Sequence, residues 1–360
     1  MRRHRATSGG KGLSALANAA LGFYAVWVAH LGRRYGILQA LARRKAPASA
    51  STVARGCGLH GPAVRVWCEA AVSLGLIEKR GNGYRLPAEM RPLLTDTEDL
   101  RFLGGQFSYL ALRSLDFEAF DPFFRKGAIS SSVSRHLREA SEEATRWDHL
   151  SFEKFLLPRV PGLRARLQDG AAAVDVGCGT GGWVLRMAGA FPRSSFTGVD
   201  PDRTAIRIAR GRASKIGGSA HIRFLEAKGG EPMREPDSFD LAYLGEMLYG
   251  VDDKLRVLRN CRRTLVAGGY IVIAEGLTDP VRGSGGRADR LVRAMDMDFA
   301  IQGARFFTRS ELGALLRRAG FSNVRFHHAG GGLWFVVATP DSKRKRSERS
   351  GAARSPRGDR

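Results

Sequence analysis

Residues 173–182, AVDVGCGTGG, place an acid and four glycines where a strand gives way to a helix around a nucleotide-like ligand. Asp175 lies near the end of an apolar run, and Gly177, Gly179 and Gly182 follow with G-x-G-x-x-G spacing. Because glycine has no Cβ, the backbone of such a loop can approach a ligand closely. The pattern predicts a ligand-binding loop between a strand and a helix.

Two classes of ligand fit this loop. Asp200 follows Gly177 by 23 residues and is placed to accept hydrogen bonds from ribose hydroxyls, so a nicotinamide oxidoreductase is one interpretation. Asp175, two residues before Gly177, would put an anion at the mouth of the loop, which opposes a pyrophosphate and suits a cation. S-adenosylmethionine carries an ammonium and a sulfonium and no phosphate. The acid therefore favours S-adenosylmethionine over a dinucleotide.

The same residues resemble a known family. VDVGCGTGG followed by FTGVDP resembles motifs I and II of the class I S-adenosylmethionine-dependent methyltransferases. Residues 239–275 resemble the fourth strand of that fold, the helix after it and the turn into the fifth strand. The resemblance covers roughly residues 15–340. It implies methyl transfer to a small, largely apolar or aromatic metabolite through an oxygen, carbon or nitrogen acceptor, as in the small-molecule O-methyltransferases with an N-terminal winged helix.

The resemblance also implies a cofactor site at the ends of the first three parallel strands. The loop after the first strand would surround the methionine end and the ribose, Asp200 would hold the ribose hydroxyls, and Pro201 would pack near the adenine. Lys228 stands where the family often has an acid that accepts from the adenine amino group, and Glu226 is a candidate substitute. The predicted cofactor-binding residues are Asp175, Gly177, Cys178, Gly179, Thr180, Asp200, Pro201, Ala227, Lys228 and Glu246.

The candidate catalytic residues are Tyr249 and Glu246. Winged-helix O-methyltransferases often carry a His-Asp pair where this chain has Tyr249-Gly250. A tyrosine with its ordinary pKa of about 10 is a poor general base, and we predict that Tyr249 forms a wall of the pocket. Glu246, one helical turn earlier, is expected to face the same pocket. Because methyl transfer depends mainly on holding the acceptor and the methyl group in line, we expect catalysis without a histidine base.

The elements that must position these residues alternate from residue 171 onwards. The predicted strands are 171–176, 195–199, 221–225, 239–244 and 270–275, and the predicted helices lie near 181–190, 201–213 and 253–266. The fold class is therefore α/β. We predict a Rossmann-like, doubly wound and mostly parallel sheet with an antiparallel C-terminal hairpin, preceded by a mainly helical winged-helix domain. Residues 284–307, with Met295, Met297, Phe299 and Phe306, are predicted to cover the substrate.

The winged helix is predicted from three short helices and a hairpin within residues 30–95. Ser51 is the predicted N-cap of one helix and Gly58 its stop, and Gly81-Asn82-Gly83 predicts a tight hairpin turn. The third helix, 63–75, is apolar on most sides and offers few side chains that could contact bases. We therefore predict a packing or homodimerisation role, with DNA binding as the alternative.

The net charge of +23 is concentrated at the two ends of the chain. Residues 1–60 hold ten Lys and Arg and no acid, and residues 341–360 hold eight against three acids. The tail has no large apolar residue and is predicted to be disordered. These basic ends keep one alternative open, a nucleic-acid-binding regulator or an RNA- or DNA-modifying methyltransferase.

The sequence predicts four regions. Residues 1–100 form a dimerisation domain, 101–165 helices that link it and line the substrate pocket, 166–340 the cofactor-binding domain, and 341–360 the tail. The apolar stretch near the N-terminus is predicted to be a long amphipathic helix and not a transmembrane segment. Four widely spaced cysteines lack paired metal-ligand spacing, so we predict no metal site, reduced thiols and a cytoplasmic protein.

Overall fold

The structure is a computed structural model that describes residues 8–129, 134–216, 221–231, 238–279 and 286–341. It divides into two compact units, Met1–Glu118 with Val133–Trp147, and Ala119–Ser132 with Asp148–Arg360. The basic tail predicted to be disordered lies outside the described residues, apart from Asp341. The start of the segment predicted to cover the substrate, residues 284–285, also lies outside them.

The first unit consists of helices and one hairpin. Its helices are α1 (Ser8–Arg34), α2 (Ile37–Ala42), α3 (Ala50–Cys57), α4 (Gly61–Ser73), α5 (Met90–Leu94) and α6 (Gly104–Arg113). Strands β1 (Glu78–Arg80) and β2 (Gly83–Arg85) pair antiparallel, with Arg80 opposite Gly83. The predicted hairpin turn is confirmed.

The two predicted boundaries of α3 have different outcomes. Gly58 ends the helix with φ 66°, a left-handed conformation that glycine adopts without steric cost, as predicted. The prediction of Ser51 as N-cap is wrong. Ser49 is extended and its side chain accepts from the backbone N–H of Thr52, whereas Ser51 lies inside the first turn. Ala50 is buried and is the first residue of the helix, so the N-cap is the residue before it, Ser49.

Helix α4 packs its apolar side inside the unit. Val64, Trp67, Cys68 and Ala71 are buried, and the indole N–H of Trp67 donates to the carbonyl of Val28 on α1 at 2.9 Å. The side chains left exposed on this helix include only one cation, Arg65. This distribution fits the predicted packing role better than base contacts.

Helix α1 leaves much of its apolar surface exposed. Its window Lys11–Arg34 is long and apolar enough to cross a membrane by length and composition alone, a test that signal sequences and core helices also pass. Only 11% of an 18-residue apolar stretch within this segment is buried. The exposed apolar side chains on α1 are Leu13, Leu16, Leu21, Phe23 and Tyr24.

The second unit is built on a seven-stranded sheet. Its strands are β3 (Ala172–Val176), β4 (Ser195–Asp200), β5 (Ile222–Glu226), β6 (Phe239–Gly245), β7 (Leu265–Gly276), β8 (Phe321–Gly330) and β9 (Leu333–Pro340). Their order is β5-β4-β3-β6-β7-β9-β8. Strands β3 to β7 are parallel, and β9 runs antiparallel to β7 and β8. The predicted fold class is confirmed.

The helices of the second unit are α7 (Phe120–Lys126), α8 (Arg135–Ser151), which begins in the first unit, α9 (Pro161–Asp169), α10 (Gly182–Ala190), α11 (Arg203–Ala213), α12 (Lys254–Thr264), α13 (Arg287–Ala300) and α14 (Arg309–Arg318). The three helices predicted between the parallel strands are confirmed as α10, α11 and α12. Strand β7 begins five residues earlier than predicted. A register shift in its pairing with β6 allows Leu265 to pair with Phe239 before the regular ladder resumes at Tyr270.

The strand order places a topological switch point beside β3. The chain runs outward from β3 to β4 and β5, then returns to the other side of β3 as β6. Ligands of open α/β sheets bind outside the carboxyl ends of the strands at such a point. An aromatic layer supports β6 there, because Tyr243 stacks on Trp183 with ring centroids 4.4 Å apart and Phe152 meets both rings edge-on.

Candidate active site

The glycine loop after β3 is fixed to the neighbouring strand. The N–H groups of Gly177 and Cys178 both donate to the carbonyl of Val199, at 2.8 and 3.1 Å. Gly177 and Gly179 have φ of 80° and 51°, which favours glycine. A Cβ at Gly177 would lie 2.9 Å from Met247, whereas a Cβ at Gly179 would meet nothing within 4 Å. The loop is thus tight at its first glycine and open at its second, as close approach of a ligand requires.

Asp200 holds this loop from the end of β4. One carboxylate oxygen accepts from the N–H of Gly179 at 2.9 Å and the other from the N–H of Asp202 at 2.8 Å. Burial raises the pKa of Asp200, and the two backbone donors act in the opposite direction. Each carboxylate oxygen retains a second lone pair, so Asp200 can accept from ribose hydroxyls while it holds the loop.

Asp175 lies beneath the loop and not at its mouth. Its side chain is 3% exposed, and burial, followed by repulsion from Asp200, raises its pKa well above the ordinary value. Burial also raises the pKa of the neighbouring Cys178 thiol. Within the described part of the chain neither aspartate forms an ion pair. Two adjacent carboxyl groups without a cation fit a cationic cofactor.

On the side of the site predicted to contact adenine, a backbone hydrogen bond fixes Ala227 and the neighbouring side chains are exposed. Ala227 is half-buried and its N–H donates to the carbonyl of Asp200 at 3.1 Å. The side chains of Pro201, Lys228 and Glu226 are exposed, and Glu226 lies 3.9 Å from Arg203. Thr180, also in the predicted set, is buried and its hydroxyl accepts from Arg212 at 2.9 Å.

Glu246 and Tyr249 come together, but not along a helix. The expectation of one helical turn between them is wrong, since β6 ends at Gly245, Glu246 has φ 50° and Leu248–Gly250 is a 3₁₀ turn. Glu246 donates its N–H to the carbonyl of Ala274 at 2.8 Å. Burial, Glu275 and Asp148 raise the pKa of Glu246 well above its usual range, partly offset by hydrogen bonding from Gly276 N–H and the Tyr249 side chain.

Glu275, which sequence reasoning missed, supports that turn. Its side chain is fully buried at the end of β7, and one oxygen accepts from the N–H of Leu248 at 2.8 Å. Burial raises its pKa to about 8, against the opposing effect of nearby backbone N–H groups and Lys254. An acid at the end of the apolar run IVIAE is the same signal as Asp175 in AAVDV, so the sequence carried a clue to it.

Asp148 and Tyr243 also interact with Glu246, and no sequence pattern predicts this. Asp148 comes from α8, is 6% exposed, and burial raises its pKa to about 7. The buried hydroxyl of Tyr243 has no hydrogen-bond partner. Burial raises the pKa of Tyr243, and Asp148, Asp175, Glu246 and Glu275 raise it further. We refer to Asp148, Glu246 and Glu275 as the acidic cluster.

Three aromatic rings lie beside this cluster. Tyr249 meets Phe299 and Phe306 edge-on, with ring centroids 4.8 and 5.7 Å apart, and the two phenylalanines are 4.8 Å apart. We refer to these residues as the aromatic trio. Of the methionines predicted to cover the substrate, Met297 is 52% exposed and Met295 is half-buried. The phenylalanines, and not Met297, therefore form the apolar surface next to Tyr249.

The acidic cluster generates a prediction about pH and stability. Between about pH 4.5 and 8 the folded protein keeps a proton on Glu275 that the unfolded chain has released. The free energy of unfolding therefore falls as pH rises through this window, by up to about 1.4 kcal/mol per pH unit for one group. In urea titrations at pH 5, 6, 7 and 8, we expect Glu275→Gln to lose less stability than the wild type. The exposed control Asp252→Asn should follow the wild type, and parallel curves for Glu275→Gln would contradict the prediction.

Comparison with known proteins agrees with this geometry. The model of a family described as "Methyltransferase domain" matches residues 147–325. A demethylmenaquinone methyltransferase of Bacillus velezensis is 31% identical over 183 residues, which cover 46% of this chain and 78% of the relative. Acetylserotonin O-methyltransferase of Mus musculus is 28% identical, over 90% of this chain and 87% of the relative.

A solved structure shows the same fold over nearly the whole length. Human N-acetylserotonin methyltransferase, in complex with S-adenosylmethionine, superimposes with a TM-score of 0.64 at 19% identity, covering 94% of this chain and all of that chain. The predicted enzyme class and the predicted cofactor, S-adenosylmethionine, are confirmed, and the nucleic-acid alternative finds no support. The glycine loop, the parallel sheet and these matches together show that the chain belongs to the class I S-adenosylmethionine-dependent methyltransferases.

Proposed function

We propose that this enzyme transfers the methyl group of S-adenosylmethionine to a small, largely apolar or aromatic metabolite. The observation that carries the proposal is the juxtaposition of Glu246 with the aromatic trio at the carboxyl end of β6, the strand next to the glycine loop of β3. The names of two relatives, demethylmenaquinone methyltransferase and acetylserotonin O-methyltransferase, refer to a metabolite and not to a nucleic acid or a protein as acceptor, which supports a metabolite substrate.

The cofactor site follows from the residues around the glycine loop. S-adenosylmethionine, when bound, supplies a methyl group on a sulfonium that leaves readily. Asp200 would accept from the ribose hydroxyls, and Asp175 would favour the positive charge of the methionine end. Gly177, Cys178, Gly179 and Thr180 would enclose that end of the ligand, and Pro201, Ala227 and Lys228 the adenine. The open space over Gly179 and the unpaired carboxyl groups support these roles.

The residues beside the acceptor would position it and handle its proton. Tyr249, Phe299 and Phe306 would hold an apolar ring, and positioning would contribute most of the rate enhancement. Glu246 would take any proton that leaves the acceptor, and this step would contribute less to the rate than positioning does. Tyr249 would be a wall of the pocket that hydrogen-bonds to Glu246.

The proposal is tested by following the methyl group. The purified enzyme is incubated with S-adenosylmethionine bearing a trideuterated methyl group and fractionated small-molecule extracts, and products are identified by mass spectrometry. We expect label in a small apolar or aromatic molecule, and less of it when Asp200→Ala replaces the wild type at a cofactor concentration that does not saturate the variant. Label found only in RNA, DNA or protein would overturn the proposal.

The predicted cofactor contacts of Asp175 and Asp200 can be measured separately. Each substitution, Asp175→Asn and Asp200→Ala, removes a charge-assisted contact, so we expect binding of S-adenosylhomocysteine to weaken by roughly 1–3 kcal/mol. Isothermal titration calorimetry gives the affinity and circular dichroism checks the fold. The exposed Asp252→Asn serves as the matched control. Wild-type affinity in both variants would show that these aspartates do not contact the cofactor.

The role of Tyr249 is tested by steady-state kinetics on the substrate identified by labelling. If Tyr249 is a wall, Tyr249→Phe retains most of the turnover number across pH 6–9. Loss of a general base typically costs about 10²–10⁴-fold. A loss of this size with unchanged cofactor affinity would instead make Tyr249 an acid–base residue. Glu246→Gln, measured alongside, is expected to raise the Michaelis constant more than it lowers turnover, which indicates lost binding.

We also propose that the enzyme is a cytoplasmic homodimer that associates through its first unit. The apolar side chains exposed along α1 support this, since large exposed apolar patches commonly mark interfaces. The thiols of Cys57, Cys68, Cys178 and Cys261 are all free, which is compatible with a reducing compartment.

The dimer proposal predicts the effect of a charge on α1. Leu16 is 73% exposed, so Leu16→Asp should be tolerated in a folded monomer but would bury an unpaired charge in a dimer. Sedimentation equilibrium should show a wild-type dimer whose dissociation constant rises about tenfold or more in the variant. Ile216→Asp, on an exposed apolar position of the second unit, is the control. A wild type that stays monomeric at micromolar concentration would refute the proposal.

A further inference from the structure

We propose that the acceptor site selects a substrate that carries a positively charged nitrogen, which the acidic cluster and the aromatic trio bind together. The inference rests on the proposed function and narrows its substrate class, from small apolar or aromatic metabolites to those that also bear an ammonium group.

The first support is that no side chain in the described part of the protein forms an ion pair with the acidic cluster. Asp148 and Glu275 are 6% and 0% exposed, and both interact electrostatically with Glu246. Among the described residues no arginine, lysine or histidine forms an ion pair with any of the three. Lys254 influences Glu275, but its ammonium donates to the carbonyl of Val251. Buried carboxyl groups are usually paired with a positive charge, so this site has room for one supplied by a ligand.

The second support is a pair of buried polar atoms that have no hydrogen-bond partner, and it does not depend on the charge of the carboxyl groups. The hydroxyl of Tyr243 is 1% exposed and has no hydrogen-bond partner, and neither does the second carboxylate oxygen of Glu275. The hydroxyl lies within electrostatic reach of Asp148, Glu246 and Glu275. Buried polar groups in native proteins are nearly always hydrogen-bonded. An ammonium group brings several N–H donors to such acceptors.

The third support is the aromatic trio, which decides between an organic cation and a metal ion. Aromatic rings beside carboxylates bind organic ammonium groups through their negatively polarised faces. Metal ions require several ligands converging at fixed distances, and the described residues contain no group of three or more side chains that could hold one. The neighbouring rings and carboxyl groups therefore match an amine attached to an apolar or aromatic body.

The backbone conformation of Glu246 indicates that this residue has a functional role. Its φ of 50° is unusual for a residue other than glycine, asparagine or aspartate, and such conformations concentrate at functional sites. Glu246 is also the most exposed carboxyl group of the cluster, half-buried where Asp148 and Glu275 are buried. Glu246 would therefore contact the nitrogen directly, with Asp148 and Glu275 behind it.

A pair of matched probes tests the inference. 2-Phenylethylamine is cationic at neutral pH and 2-phenylethanol is a neutral molecule of the same shape. Each is titrated by calorimetry into full-length enzyme saturated with S-adenosylhomocysteine at pH 7. We expect the amine to bind about tenfold more tightly than the alcohol, because an ammonium beside the cluster favours ionisation of its carboxyl groups and then interacts with the carboxylates and the rings. Equal affinities would overturn the inference.

Three variants test whether the acidic cluster causes the preference for the amine over the alcohol. Glu246→Gln should bind the amine and the alcohol with similar affinities. Asp148→Asn should reduce the preference for the amine in part, and the control Asp252→Asn should leave that preference unchanged. Thermal denaturation confirms that each variant is folded. A tenfold preference that persists in both Glu246→Gln and Asp148→Asn would place the amine elsewhere and overturn the inference.

Two further outcomes separate this inference from the proposed function. If the amine displaces S-adenosylhomocysteine, it occupies the cofactor's own site and the inference is wrong. If labelled methyl groups reach a small molecule but the enzyme does not distinguish the two probes, the proposed function stands and this inference alone fails. If neither S-adenosylhomocysteine binding nor methyl transfer is found, the proposed function fails first.

Discussion

The carboxylate of Asp200 connects the two loops on which the cofactor site depends. It accepts the N–H of Gly179 in the loop after β3 and the N–H of Asp202, whose own side chain caps α11. One side chain thereby sets the position of the glycine loop relative to β4 and the start of the next helix. Because Gly177 and Cys178 also donate to the carbonyl of Val199, the loop is held at both ends and stays open at Gly179.

A second constraint follows from the direction of the strands. Each of the five parallel strands has a carboxyl group at or next to its carboxyl end: Asp175, Asp200, Glu226, Glu246 and Glu275. These ends meet along one edge of the sheet, so a chain with a net charge of +23 concentrates carboxyl groups at its ligand-binding edge. Burial raises the pKa of Asp175, Asp200, Glu246 and Glu275, so a cation bound beside them would favour their ionised forms. A site with these properties favours ligands that bring positive charge, as S-adenosylmethionine does.

The sequence predicted the parts of this arrangement that depend on local pattern. The glycine loop, the acid after β4 and the alternation of strands and helices all lie within short segments whose spacing has a physical reason. Asp148 could not be found in this way, because only folding brings the end of α8 to β6. The relation between Glu246 and Tyr249 was misjudged because helical spacing was assumed where Glu246 adopts a left-handed conformation before a 3₁₀ turn. The N-cap was assigned to Ser51 instead of Ser49 because two serines so close in sequence carry the same local signal.

The central claim is that buried carboxyl groups at the strand ends select a cationic adenosyl cofactor over a dinucleotide. Its most direct test is a calorimetric titration of the purified wild-type protein with S-adenosylmethionine, S-adenosylhomocysteine and NAD under identical conditions. We predict micromolar affinity, about −8 kcal/mol, for the two adenosyl ligands and no heat of binding for NAD. Tight binding of NAD with no response to either adenosyl ligand would contradict the account.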